Sequence, residues 1–225
     1  MINLFNENEL SNGISYLSKS YPVINKLKAQ YGTPDLDRGT KNIFLSLIRS
    51  IISQQISTKA AFSVHTKFKA LYPESKITPN AVSSTTNLQL KSAGLSRQKI
   101  EYIKSTAKFF IETKYSNKYL SSMEDDELKN KLIKIKGIGP WTIDMILIFS
   151  LGRPDVFPIG DLAIRKGFNI LFKKEHTEKQ MINEAKNWKP YRTIFSWYLW
   201  RVIDGSWESM KKNFYGFSML MKEGG

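Results

Sequence analysis

The 225-residue chain contains no cysteine, which excludes disulfides, thiolate zinc sites, iron–sulfur clusters and cysteine nucleophiles together. A reducing compartment is expected, cytoplasmic or, in a eukaryote, nuclear. Histidine is nearly absent as well. His65 and His176 have no carboxylate or second histidine at metal-ligand spacing, and both are expected at the surface. No run of eighteen apolar residues occurs, and the start Met1-Ile2-Asn3-Leu4-Phe5-Asn6-Glu7 lacks the basic and apolar stretches of a secretory signal. Neither a membrane span nor such a leader is expected. Alternating β-branched runs bounded by hairpin turns are also missing, while apolar residues recur at helical spacing through most of the chain, so the expected fold is all-α.

What the chain has in excess is positive charge. Lys and Arg total 34 against 20 Asp and Glu, a formal charge of +14. Such a balance favours a polyanionic partner, because each neutralised phosphate releases counterions. A merely lysine-rich surface would give the same balance, so charge by itself leaves both readings open. The length permits one large or two small domains, with roughly 70% of the unfolded surface shielded on folding.

Periodicity predicts a helix pair over residues 9–31, broken near Tyr21-Pro22, and then a loop at Gly32-Thr33-Pro34-Asp35. From Asn42 to Leu71 one apolar stripe is interrupted by Ser53-Gln54-Gln55. Helices are predicted over 80–93 and 97–114, with Gly94 as the C′ residue between them. The acidic run Glu124-Asp125-Asp126-Glu127 suits a helix start, where the macrodipole favours carboxylates. An irregular stretch over 153–160 leads into a helix over 162–173, and a last helix is predicted over 190–202.

One segment carries more information than its helical period. In Leu132-Ile133-Lys134-Ile135-Lys136-Gly137-Ile138-Gly139-Pro140-Trp141-Thr142 one helix ends and another begins within three or four residues. The glycines allow positive φ and close backbone approach, and Pro140 suits a first helical turn, where its missing N–H needs no partner. Amides left over at the start of the second helix would face outward with the positive end of its dipole, so a phosphate could dock there without being read as sequence. Ile138 would anchor the turn. Many ordinary tight turns share the Gly-x-Gly pattern.

With Asp161 twenty residues after Trp141, the segment 132–142 resembles the helix-hairpin-helix of the HhH-GPD DNA glycosylase superfamily. Four further stretches match. Ile51-Ile52-Ser53-Gln54-Gln55-Ile56-Ser57 with Lys59-Ala60-Ala61 resembles the lesion-side helix and Ala93-Gly94-Leu95-Ser96-Arg97-Gln98-Lys99 the middle turn. Val156-Phe157-Pro158-Ile159-Gly160-Asp161 resembles the catalytic loop, and Trp188-Lys189-Pro190-Tyr191-Arg192 with Tyr198-Leu199-Trp200-Arg201 the final helix. The likeness extends over nearly the whole chain and is to the 3-methyladenine DNA glycosylase II branch, in its compact form without an amino-terminal β-sheet domain.

The resemblance implies a two-subdomain helical fold with an active-site cleft between the subdomains. Residues 42–153 would form the central domain and residues 1–41 plus 154–225 the second. It also implies a monomer acting on double-stranded DNA that contains damaged bases. Asp161 would stabilise the cationic sugar left as the base departs, although an Asp just before Leu162-Ala163-Ile164 is equally a good N-cap. Trp141, Trp200 and Tyr198 would line the base pocket, with Trp197 undecided between pocket and core. Gln54 and Gln55 would fill the gap left by the flipped base, and Gly137, Ile138, Gly139 and Thr142 would contact the backbone. No cofactor is implied beyond a structural Na+ or K+ held by the main-chain carbonyls of Ile133, Ile135 and Ile138. Members that also cut the strand place a lysine where Trp141 stands, so strand cleavage is not expected. The competing readings are a non-enzymatic DNA-binding module in which Asp161 only caps a helix, and a glycosylase for another damaged or mismatched base.

Overall fold

Ser, Thr, Asn and Asp recur just ahead of the apolar-periodic segments, and in the structure they start the helices. A computed structural model describes residues 6–36 and 42–203; expectations touching residues 1–5, 37–41 and 204–225 lie outside the described residues. Among the described residues every regular element is helical. Asn6, Asn42, Ser57, Thr86, Ser96 and Thr177 each accept a bond from an amide in the first turn of the helix they precede, satisfying donors that the helix itself leaves over.

The chain forms two compact units. One contains residues 6–36 and 147–203, the other residues 42–146. The division falls at Ile146/Leu147, earlier than the expected 153/154, and the end of the helix it interrupts belongs with the first unit because Phe149 stacks on Trp200 at 5.8 Å.

The second unit holds α3 (Ile43–Ser53), α4 (Thr58–Ala70), α5 (Pro79–Ser84), α6 (Asn87–Ser92), α7 (Arg97–Thr113), α8 (Asn117–Ser122), α9 (Asp125–Leu132) and the first part of α10 (Pro140–Phe149). Its core gathers Phe44, Leu47, Ile48, Ile51 and Ile52 of α3 with Ile103 and Ala107 of α7. The stripe over 42–71 is two helices, parted where the polar cluster interrupts it. The single helix over 80–93 is also two, because the Thr86 and Gln89 side chains build a capping box that starts a new helix. α8 has no counterpart among the sequence expectations.

The first unit holds α1 (Glu7–Ser20), α2 (Val23–Tyr31), α11 (Leu162–Phe172), α12 (Glu178–Ala185) and α13 (Arg192–Val202). α13 is buried on all sides from Thr193 to Trp200. Gly167 lets α11 approach it, since a methyl group at this position would collide with the Leu199 carbonyl. Trp188 and Phe195 stack at 3.8 Å, with Phe172 and Tyr21 around them. α12 was not anticipated either.

Of the two histidines expected at the surface, one is buried. His176 is half-buried against Phe168, with a ring nitrogen 2.7 Å from the Lys174 carbonyl. His65 is 7% exposed, and burial, reinforced by the charges of Arg49 and Lys69, lowers its pKa to about 3. An unfolded histidine takes up its proton near 6.5. Below that value the unfolded state gains a proton that the folded state excludes, so stability is complete above pH 6.5 and falls with pH. From pH 7 to pH 5 we expect a loss of about 2 kcal/mol from this residue. Urea unfolding at both pH values should show it, and His65→Gln should flatten the dependence.

Candidate functional site

The hairpin is built as its glycines require. α9 ends at Leu132, Ile135 N–H donates to the Leu132 carbonyl at 3.0 Å, and Ile138 N–H donates to the Ile135 carbonyl at 3.1 Å. Gly137 has φ +87°, which disfavours any side chain, and a Cβ there would collide with the Tyr102 ring of α7. Gly139 faces open space. Among the described residues the amides of Gly137 and Gly139 donate no backbone hydrogen bond, so two N–H groups remain for a ligand beside the start of α10. Ile138 is buried and pins the turn, as expected. Thr142 is buried too. Lys129 of α9 and Asp144 of α10, 3.3 Å apart, tie the two arms together.

The two glutamines occupy the α3–α4 turn in different ways. Gln54 is half-buried, and its side-chain Nε2 donates to the Gly137 carbonyl at 3.1 Å. Gln55 is exposed and adopts φ +57°, a left-handed conformation that costs a non-glycine residue about 1–2 kcal/mol. Lys99 of α7 supports the turn from below by donating to the Ile52 carbonyl at 2.7 Å, and burial lowers its pKa.

In the first unit Asp161 is buried and caps α11. Its Oδ1 accepts from the amides of Ala163 and Ile164 at 2.8 and 3.1 Å. The loop before it is fastened to α13. Arg192 grips Asp155 through Nε to Oδ1 at 2.7 Å and Nη2 to Oδ2 at 2.9 Å. The Thr193 hydroxyl donates to the Arg153 carbonyl at 2.7 Å and accepts from the Val156 amide at 3.0 Å. The Ser196 hydroxyl donates to the Val156 carbonyl at 3.1 Å. A buried helix therefore sets the position of a carboxylate that also holds its own helix start.

The aromatic candidates separate by burial. Trp141 is half-exposed in the first turn of α10. Trp200 is enclosed and stacked on Phe149. Tyr198 is enclosed, its hydroxyl donates to the Gly32 carbonyl at 3.2 Å, and burial pushes its pKa up to about 12. Tyr198 is thus placed as a core residue, its polar atom already used. Trp197, also enclosed, carries the Arg201 guanidinium 4.9 Å from its ring centre. Sequence reasoning missed Tyr102, for which no local signal exists, the bond that Lys99 of the middle-turn segment makes to Ile52, and the roles of Thr193 and Ser196, two hydroxyls three residues apart in α13. Among the described residues no cluster of His, Asp or Glu is arranged to hold a metal ion, and no helix is long and apolar enough to cross a membrane.

A model of the HhH-GPD superfamily of base excision DNA repair proteins matches residues 48–192. The chain is 34% identical to DNA-3-methyladenine glycosylase 1 of Schizosaccharomyces pombe over 196 residues, covering 84% of each. It is 31% identical to a putative DNA-3-methyladenine glycosylase of Bacillus subtilis, covering 88% of this chain and 71% of that one. Among solved structures, the S. pombe 3-methyladenine DNA glycosylase in complex with abasic DNA superposes with a TM-score of 0.74 at 32% identity, over 84% of this chain and 95% of that one. A DNA-3-methyladenine glycosidase from Bacillus halodurans superposes at 0.78 with 29% identity, over 88% and 94%.

Gly137→Ala tests the hairpin directly. Positive φ and the Tyr102 ring both oppose the added methyl, so the turn must deform. Overpacking of this kind typically costs about 1–3 kcal/mol, which should appear as a lower unfolding midpoint together with weakened duplex binding in a fluorescence anisotropy titration.

Proposed function

Because the chain belongs to the HhH-GPD superfamily of base excision DNA repair proteins, we propose that it is a monofunctional DNA glycosylase acting on alkylated purines of the 3-methyladenine type. It would flip the damaged nucleotide from the duplex and hydrolyse its N-glycosidic bond. The substrate class comes from the names of the relatives. The chemistry comes from one observation above the others, a buried carboxylate, Asp161, fixed at a helix start by a loop fastened to α13.

Extruding a base costs a few kcal/mol, least for a damaged one. The outward amides of the hairpin hold phosphates on the strand while Gln55 occupies the vacated stack. As the bond to the base lengthens, positive charge develops on the deoxyribose, and the Asp161 carboxylate stabilises it while the cap keeps the group in place. An N-alkylated purine already carries positive charge and departs without a strong general acid. It needs an electron-rich face, and cation–π attraction of about 0.5–2 kcal/mol is available from a tryptophan. We assign this face to Trp141, half-exposed where Trp200 is enclosed.

No lysine amine stands at position 141, so no Schiff base forms with the sugar and the product is an abasic site. The three isoleucine carbonyls proposed for a monovalent cation come from one short turn. That of Ile135 already accepts from Ile138 and retains a second lone pair, so Na+ or K+ there would stiffen the hairpin without taking part in the chemistry. A monomer on duplex DNA is sufficient for all of these steps.

The observed cap favours one rival, a DNA-binding module in which Asp161 is structural only. Asp161→Asn separates the two, since Asn caps nearly as well and stability should change by less than about 0.5 kcal/mol. On duplexes carrying one alkylated purine, abasic sites revealed by alkali should form at least about a hundredfold more slowly. Equal rates would remove Asp161 from the chemistry. A second expected outcome concerns the strand itself: no cleavage before alkali, and no covalent adduct on borohydride treatment. Trapping of such an adduct would contradict the monofunctional reading.

A further inference from the structure

We infer that Gln54 serves the hairpin's grip and not insertion into DNA: with the Tyr102 ring it clamps the Gly137 peptide, leaving Gln55 alone to enter the duplex. The Gly137–Ile138 peptide is planar, so fixing its two polar ends fixes its orientation. Its carbonyl accepts from Gln54 Nε2 at 3.1 Å, and its N–H donates to the Ile135 carbonyl at 3.1 Å. The Tyr102 ring lies where a Cβ on Gly137 would stand, so the turn cannot rotate toward α7. With the central peptide held on three sides, the flanking amides of Gly137 and Gly139 are left without backbone partners.

The backbone of Gln54 is itself held, since its N–H closes α3 on the Ser50 carbonyl at 3.2 Å and Lys99 grips Ile52 two residues earlier. Gln55 differs in each respect. It is exposed, its backbone is left-handed, and its side chain makes no hydrogen bond among the described residues. Local strain at an exposed polar residue beside a ligand-facing turn is where a functional constraint is expected. The two neighbouring glutamines thus divide the work. Gln54 is a positioning residue acting through Gly137, and Gln55 is the contacting one.

The excision part of the test rests on the glycosylase reading; the binding part does not. The full-length chain would be compared with Gln54→Met, Gln55→Met, Tyr102→Leu and Tyr102→Phe. For each, the Kd for an undamaged duplex and for the same duplex with one N7-methylguanine is measured at fixed salt, followed by single-turnover base release at saturating protein. Loss of the clamp should raise both Kd values equally in Gln54→Met and Tyr102→Leu, by about fivefold to tenfold, with the saturated rate within about twofold of the parent. Tyr102→Phe keeps the ring and should behave as the parent. Gln55→Met should retain the undamaged-duplex affinity and slow release. Without DNA, hydrogen exchange of the Ile138 amide, which is bonded to the Ile135 carbonyl, should rise in Gln54→Met and not in Gln55→Met. A Gln54→Met protein with unchanged affinity, or with slowed release at saturation, would overturn the assignment. If the parent itself releases no base, the glycosylase reading fails while the Kd and exchange data still decide the clamp.

Discussion

In an all-helical protein the polar groups left unpaired are those at the ends of helices, and where each end finds its partner decides what this molecule can do. Most helix starts are closed locally by a Ser, Thr or Asn cap. Other ends are closed over long distances. Lys104 inserts its ammonium among the carbonyls of Val82, Ser83 and Thr85 at the end of α5, and Lys99 does the same for α3 through Ile52. Against this general satisfaction, the amides of Gly137 and Gly139 stand out because the turn that carries them is tightly held while they themselves have no backbone partner among the described residues. A rigid surface of unpaired donors is what an anion needs.

The same constraint would let Asp161 combine two tasks, the cap that is seen and the chemistry proposed for it. Two amides of α11 hold its carboxylate and restrict its movement. A group that stabilises a transient cation benefits, since a preorganised charge needs no reorientation as the reaction proceeds. In the proposed chemistry the cap is therefore the means by which the carboxylate is oriented, and the hydroxyls of Thr193 and Ser196 extend that orientation into the buried helix α13.

The aromatic residues show the opposite outcome. Trp188, Phe195 and Phe172 satisfy the first unit's need for volume, and Trp200, Tyr198 and Trp197 join them in enclosure. A buried indole or phenol ring gains more from area removed from water than from any single ring contact, so position in a motif is weak evidence that an aromatic faces a ligand. Trp141 differs in being half-exposed, in the first turn of a helix directly after the hairpin.

The sequence by itself determined the helical class, most helix starts, the parting at Ser53-Gln54-Gln55, the hairpin at 132–142 and the place of Asp161 ahead of α11. These follow from interactions spanning a few residues, namely caps, apolar periodicity, and glycine and proline at turns. Short helices with weak periodicity, α8 and α12, escaped it, as did the capping box that divides 80–93. Only the tertiary structure decided that Gln54 faces Gly137 and Gln55 does not, that Tyr102 underlies the hairpin, that Thr142 and His65 are buried, and that Tyr198 spends its hydroxyl on Gly32. Each of these depends on which residues meet across long stretches of chain, and a side chain's neighbours, unlike its period, are written nowhere in its own segment.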